Sequence, residues 1–369
     1  MKKVLVIVVT YNGKQWLSRC LGSVSAVGVP VSAVGVPETV PPTANKAQNE
    51  VGGTETVPST ALNVDLFVLD NDSTDGSADY VQANFPAAKL IRSAENLGFS
   101  KANNLGMQYA LDHGYDYVYL LNQDAWLEEG ALDKLVSTAE SHPEYAVLSP
   151  LQMTDGYQEL DYQFSKLFKV QENTLFRNMP TCPPKTPNRW TNSPKSQLVH
   201  QKRQIGGQTF KKANLSTKNA KSVDKAGVTG TEYLPEPYTV NRVMAAHWLV
   251  PVEALRKVGL FNEDLFPLYG QDDNWCHRAR YQGYKIAIVP EARAVHDRAQ
   301  RTEDKDKLIF RNYYTGSLVC LANPNIPMWL SYIYVLAFTL VKAIKYHSLK
   351  VFKYFFRINS QLPALRQSR

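Results

Sequence analysis

The residues best equipped for chemistry are a few carboxylates and one histidine, each placed next to an apolar run. Asp70 opens the polar string of "LDNDSTDGS" (Leu69–Ser77), and Asp124 closes "YLLNQD". Asp272 and Asp273 lie side by side in "LYGQDDNWCHRARYQGYKIAIVP" (Leu268–Pro290), and His296 ends "ARAVH". Carboxylates with a later histidine can hold a hard divalent ion, and such an ion binds a diphosphate while keeping much of its own hydration. Each group also has a plainer reading. Asp, Asn and Ser favour Asx turns and helix caps, and a histidine after an apolar run can be a satisfied core residue. An Asp at a strand end can also accept a hydrogen bond from a nucleobase N–H. Neither GxxxxGK[ST] nor GxGxxG occurs, so P-loop and dinucleotide-binding readings lack their phosphate cradle.

The positioning elements follow from periodicity. Strands are predicted over Val4–Val9, Leu66–Leu69, Lys89–Arg92 and Tyr117–Leu121, and helices over Trp16–Val24, Ala78–Asn84 and Lys101–Ala110. After the Asn122-Gln123-Asp124 triplet, "EEGALDKLVSTAE" reads as a helix that follows directly. This βαβα order predicts an α/β fold with a parallel central sheet and helices on both faces. Ligands of such sheets bind beyond the carboxyl ends of the strands. "TYNG", "DNDSTDG", "ENLGFSKANN" and "NQD" all fall at those ends and form one candidate pocket.

Composition bounds the remainder. A 369-residue chain that is 44% hydrophobic can bury a large core in one large domain or two. Its four cysteines form no CxxC pair, which suits a reducing compartment. The apolar run after "MKK" is short and lacks a small-residue cleavage site, so it reads as a first strand rather than a signal peptide, and the chain is expected to face the cytosol. The net charge of +7 is uneven: Lys166–Lys225 carries +11, Lys307 to the C-terminus carries +9, and the body is acidic. Two basic segments suggest anionic partners such as a phosphorylated ligand or a lipid surface. No nucleic-acid-binding pattern accompanies them, and none is expected to bind. Residues 25–62, with "VSAVGVP" repeated in tandem, and residues 166–225 read as long inserted loops.

The blocks "VVTYNGKQWLSRCLGSV", "VLDNDSTDGS", "ENLGFSKANNLG", "YLLNQDAWLEEGAL", "VEALRKVGLFNEDLFPLYGQDDNWCHRARYQGYKI" and "ARAVH", in this order, resemble the family 2 glycosyltransferases, particularly their rhamnosyltransferase-like members. The likeness covers residues 3–150 and 243–297 without the insert. It implies a GT-A fold (Rossmann-like, mostly parallel sheet) over residues 1–306, a nucleotide-diphospho-sugar donor such as a dTDP- or UDP-sugar, Mg²⁺ or Mn²⁺, and inversion at the anomeric carbon. By the same resemblance Thr10, Tyr11, Asp70 and Asn71 match positions that hold the nucleoside, and Asn96 and Gly98 line the donor site. "NQD" stands where the family has its Asp-x-Asp-type motif. Asp124 then ligates the metal with His296, and Asn122, in place of the first Asp, contacts ribose or sugar. Asp272 matches the general base of a Glu-Asp motif whose Glu position is Gln271 here, with Asp273 as the alternative base.

Two other readings remain open on the residues. A catalytically inactive scaffold could keep the fold to recognise carbohydrate or lipid; the Gln271 departure favours it, and the joint presence of Asp124, Asp272 and His296 argues against it. A nucleotidyltransferase would need a basic Gly-rich loop after the first strand, whereas "TYNGKQW" has a single Gly. In the C-terminal region, 307–369, "MWLSYIYVLAFTLV" is fourteen uncharged residues, short of the ~20 that span a bilayer. The lysines and aromatic residues that follow suit a headgroup region. The expectation is a peripheral protein on the inner face of the cytoplasmic membrane, and the alternative is a helix hairpin packed on the domain. A glycan or lipid-linked acceptor in surface-polysaccharide assembly fits the family resemblance.

Overall fold

A computed structural model describes residues 1–25, 62–156, 159–161, 164–165, 237–297 and 305–367. Apart from the terminal residues Ser25 and Leu62, the inserts expected over 25–62 and 166–225 lie outside the described residues. Strand β1 (Lys2–Thr10) is shielded on both faces from Val4 to Val8, as a central parallel strand requires. Val4, Val6 and Val8 face the cluster that holds Leu17 and Leu21 of α1 (Lys14–Ser25). Ile7 faces the opposite helix, α3 (Gly98–Asp112), where its side chain lies so close to Gly106 that no Cβ fits there. The period-2 alternation of a strand thus assigns its two rows to two helical layers.

β1 pairs in parallel with β2 (Leu62–Asp70) and with β4 (Tyr117–Asn122), and β2 pairs with β3 (Lys89–Arg92). Helix α2 (Ser77–Asn84) joins β2 to β3. With β5 at Ala125–Leu127, β6 at Tyr145–Met153, β8 at His247–Pro251 and β9 at Lys285–His296, the full sheet order is β3-β2-β1-β4-β8-β6-β9-β5, and β7 (Tyr238–Val240) is added to β9. The four strands read from sequence are the parallel half. Beyond β4 the sheet is mixed: β8 (His247–Pro251) is antiparallel to β4, and β6 (Tyr145–Met153) is parallel to β9 (Lys285–His296).

One local expectation is corrected. No helix follows the Asn122-Gln123-Asp124 triplet directly. β5 (Ala125–Leu127) intervenes, antiparallel to β9, and α4 (Ala131–Ser141) starts after it. Three residues are too few to display an alternation, so periodicity could not find β5. The β6–β9 ladder also skips: Pro150 pairs with Val289 but Leu151 pairs with Arg293, so Pro290, Glu291 and Ala292 bulge out of register.

Helix α5 (Val252–Val258) follows β8, and α6 (Gln271–Tyr281) precedes β9. The C-terminal elements are α7 (Lys305–Ile309), a π-helical turn (Phe310–Thr315), α8 (Gly316–Leu321), α9 (Met328–Tyr346), α10 (Lys350–Ser360) and α11 (Leu362–Gln367). Tyr313, Leu318, Val335, Val351, Ile358 and Leu365 share a core with Leu265 and Phe266, just upstream of α6. The fourteen uncharged residues Met328–Val341 lie in a helix that runs on through Lys342 and Lys345, and this 19-residue helix is long enough to cross a bilayer by length and composition.

Candidate active site

The carboxyl ends of β1, β2 and β4 carry a continuous net of hydrogen bonds. Gln123, from the loop after β4, accepts from the Thr10 hydroxyl at 2.9 Å and from the Tyr11 N–H at 2.8 Å. Its Nε2 donates back to the Tyr11 carbonyl at 3.3 Å. One side-chain amide therefore fixes the β1 end against the β4 end, and the Tyr11 ring stays exposed. The next residues are sewn to the loop after β2: Asn12 N–H donates to Ser73 Oγ at 3.0 Å, and Thr74 N–H to Asn12 Oδ1 at 2.8 Å.

Asp70, the last residue of β2, is 4% exposed. Its Oδ2 accepts from the Ser73 N–H at 3.2 Å, while Oδ1 is buried with no partner among the described residues. A buried charged oxygen without a donor is costly, which makes it a seat for a ligand N–H or O–H. Beside it Asn71 accepts from the Leu97 N–H at 2.8 Å and donates to Asn96 Oδ1 at 3.1 Å. Asn96 Oδ1 also accepts from the Gly98 N–H at 3.0 Å. Gly98 sits at φ +76°, and a Cβ there would stand 2.9 Å from the Pro267 carbonyl oxygen. Only glycine meets both demands. Ser100 N–H donates to that same carbonyl at 3.1 Å, tying the start of α3 to the segment that leads into α6. Asn122 ends β4, paired with Val9, and its carbonyl accepts from the Cys20 thiol.

Asp124 and His296 meet because Ala125 pairs with His296 across β5 and β9. The histidine Nε2 lies 3.5 Å from Asp124 Oδ1, both side chains are nearly enclosed, and His296 Nδ1 has no hydrogen-bond partner among the described residues. This is not the satisfied core histidine of the plainer reading. That description belongs to the neighbouring His247, whose Nε2 donates to the Val295 carbonyl at 3.0 Å while Nδ1 accepts from the Tyr119 hydroxyl at 2.9 Å. Burial pushes the His247 pKa down to about 3, so it stays neutral. A carboxylate and an imidazole with an uncommitted nitrogen suit a divalent ion that takes its other ligands from diphosphate and water. No group of three or more candidate ligands occurs among the described residues.

Asp272 lies in the first turn of α6, whose start is set by Gly270 at φ 86°. Burial raises its pKa to about 7, and the adjacent Asp273 carboxylate adds to the rise. Asp273 is itself committed: Arg242 Nη1 reaches its two oxygens at 2.6 and 2.8 Å. The pair leaves Asp272 as the carboxylate with a proton affinity near neutrality. Neither Arg242 nor Gln123 was singled out from sequence. Gln123 could have been, as the middle of the triplet, but nothing in the pattern marks Arg242. Gln271, in place of the expected Glu, is buried, and its Oε1 has no partner among the described residues.

Residues 5–191 match the family described as Glycosyl transferase family 2, and the chain belongs to that family. Its α/β sheet, parallel over β3-β2-β1-β4 and mixed beyond, has the GT-A arrangement. A galactofuranosyl glycosyltransferase of Leishmania donovani is 24% identical over 224 residues, 59% of this chain. The chain spans 44% of that relative's length. Among solved structures, S. aureus TarS 1-349 in complex with UDP-GlcNAc is similar with a TM-score of 0.44 at 12% identity, covering 90% of this chain and 69% of that one. The mannosyltransferase PcManGT of Pyrobaculum calidifontis, in complex with GDP-Man and Mn2+, gives 0.44 at 15% identity, covering 99% and 82%.

Proposed function

We propose that this protein transfers a sugar from a nucleoside diphosphate donor to an acceptor hydroxyl with inversion at the anomeric carbon. The observation that carries the reading is the unpaired, buried Asp70 Oδ1 at the carboxyl end of β2. It suits the imide N–H of uracil or thymine, with the exposed Tyr11 ring available to stack on the base. Asn71, Asn96 and Gly98 line the donor beside it, and Asn122 reaches ribose or sugar. Asp124 and His296 would hold Mg²⁺ or Mn²⁺, which when bound offsets charge developing on the departing diphosphate.

Asp272 serves as general base. Its carboxylate takes the acceptor hydroxyl proton while that oxygen bonds to the anomeric carbon, and the bond to the diphosphate breaks with its electron pair leaving on the nucleotide. A pKa near neutrality suits the task, because the group is ionised often enough to act and basic enough to accept. Arg242 holds Asp273 aside and sets the field around Asp272.

Rhamnose is the donor sugar that the sequence blocks favour, and a glycan or lipid-linked acceptor in surface-polysaccharide assembly is the corresponding second substrate. The test is a donor panel with Mg²⁺ or Mn²⁺, scored for nucleoside diphosphate release: dTDP-rhamnose, UDP-sugars and GDP-mannose. Metal-dependent release from one donor supports the reading. Donor binding without release to any acceptor would leave the inactive scaffold instead.

A further inference from the structure

Helix α9 is fastened by one face and bare on the other. Ser331, Val335 and Thr339 are buried, the Tyr313 and Thr339 hydroxyls share a 2.7 Å hydrogen bond, and the Tyr332 hydroxyl donates to Asn359 of α10 at 2.7 Å. On the far side Trp329, Ile333, Leu336, Leu340 and Ile344 are between 46% and 72% exposed, at helical spacing. Leu349 (83% exposed) and Phe356 (71%) continue the stripe past the bend into α10. A contiguous patch of this kind is unlike the scattered apolar residues of an ordinary surface. At the bend, a groove of about 400 Å³ is lined by Leu340, Ala343, Ile344, His347, Leu349 and Phe352.

We propose that the α9–α10 elbow is a membrane-docking surface that lies in the plane of an anionic leaflet, with the apolar stripe among the acyl chains. Charge selects this occupant. From Lys307 to the C-terminus there are nine Lys/Arg and no Asp or Glu, and Lys345, Lys353 and Arg357 are exposed next to the stripe. A second copy would bring the same cations face to face, since a two-fold contact pairs each patch with itself. Anionic headgroups complement both the charge and the apolar face. α9 is long enough to cross, but the ties from Thr339 to Tyr313 of the π-helical turn and from Tyr332 to Asn359 of α10 fasten one face of it to the neighbouring C-terminal elements, and those share a core with Leu265 and Phe266. The surface therefore seats the protein on a membrane without spanning it, whatever reaction the site performs.

The test is co-flotation of the full chain with phosphatidylcholine vesicles, with and without phosphatidylglycerol. Binding should require the anionic lipid, weaken at high salt and be reversed by alkaline extraction. Lys345→Ala with Lys353→Ala should lower partitioning about 25-fold at low salt, at about fivefold per cation near the surface. Ile333→Glu with Leu340→Glu should abolish flotation while the thermal melt stays that of the parent, because both positions are exposed. Flotation that ignores lipid charge, glutamate variants that bind like the parent, or resistance to alkaline extraction would overturn the proposal. So would a dimer in ultracentrifugation that the glutamate pair dissociates, with no flotation of the parent.

Discussion

Replacing Asp272 by Asn should make the protein more stable and less active, and the gain in stability should grow with pH. In the folded protein the carboxyl titrates near 7, against about 3.9 when unfolded. The raised value means that the folded state holds its proton more tightly. The parent is therefore unpenalised below about pH 4 and loses stability as pH rises from there to about 7. The difference of about 3 units corresponds to about 4 kcal/mol at 1.36 kcal/mol each. Asp272 retains some solvent contact, which cuts the figure to about 2 kcal/mol. Asn has no charge to desolvate, and its carbonyl oxygen can still accept the Asp273 N–H that Asp272 Oδ1 accepts at 2.9 Å. The gain should be under about 1 kcal/mol at pH 5 and about 2 kcal/mol at pH 8, or about 2–3 °C in melting temperature for a chain of this length. Urea or thermal melts of both proteins at the two pH values measure it, beside donor binding and transfer rate. Transfer should fall by about 10²–10⁴-fold with donor affinity nearly unchanged. An equal offset at both pH values, or a variant weaker at pH 8, would refute the burial argument. Normal transfer would remove Asp272 from the chemistry.

Three further outcomes are expected. Asp70→Asn should weaken donor binding by about 10- to 100-fold in calorimetry, the size of a charge-assisted hydrogen bond lost by a buried group, with the melt little changed. Asp124→Ala should abolish the dependence of donor affinity on Mn²⁺ while leaving metal-free affinity near that of the parent; an unchanged Mn²⁺ titration would exclude Asp124 as a ligand. Gly98→Ala should destabilise by about 1–3 kcal/mol in urea unfolding, because the side chain meets both a positive φ and the Pro267 carbonyl.

The parallel half of the sheet is legible in the sequence because three of its four strands, β1, β2 and β4, hold apolar runs that end abruptly in polar residues. Leu66–Leu69 and "DNDSTDG" are the clearest case, and the structure extends that strand to Leu62–Asp70. The convergence of those polar ends follows from parallel topology alone. Contacts that depend on distant segments are not legible. Asp124 meets His296 through the three-residue β5, and Asp273 is claimed by Arg242 from before β8; neither pairing leaves a local pattern. The extent of α9 was also hidden, since Lys342 and Lys345 interrupt the apolar run without interrupting the helix. Lysine is a good helix former and its long stem tolerates a half-buried flank.

The bulge in β9 also constrains how this protein can change over evolutionary time. Pro290–Ala292 lie between the portion of β9, Ile286–Val289, that pairs in register with Val147–Pro150 of β6 and the portion that delivers His296. Side chains alternate along a strand, so losing or gaining one residue there would send His296 to the opposite side of the sheet from Asp124. A change of two residues would preserve the facing and alter only reach. Length variation among functional descendants should accordingly occur at this point in even steps, while the residue types within the bulge drift freely.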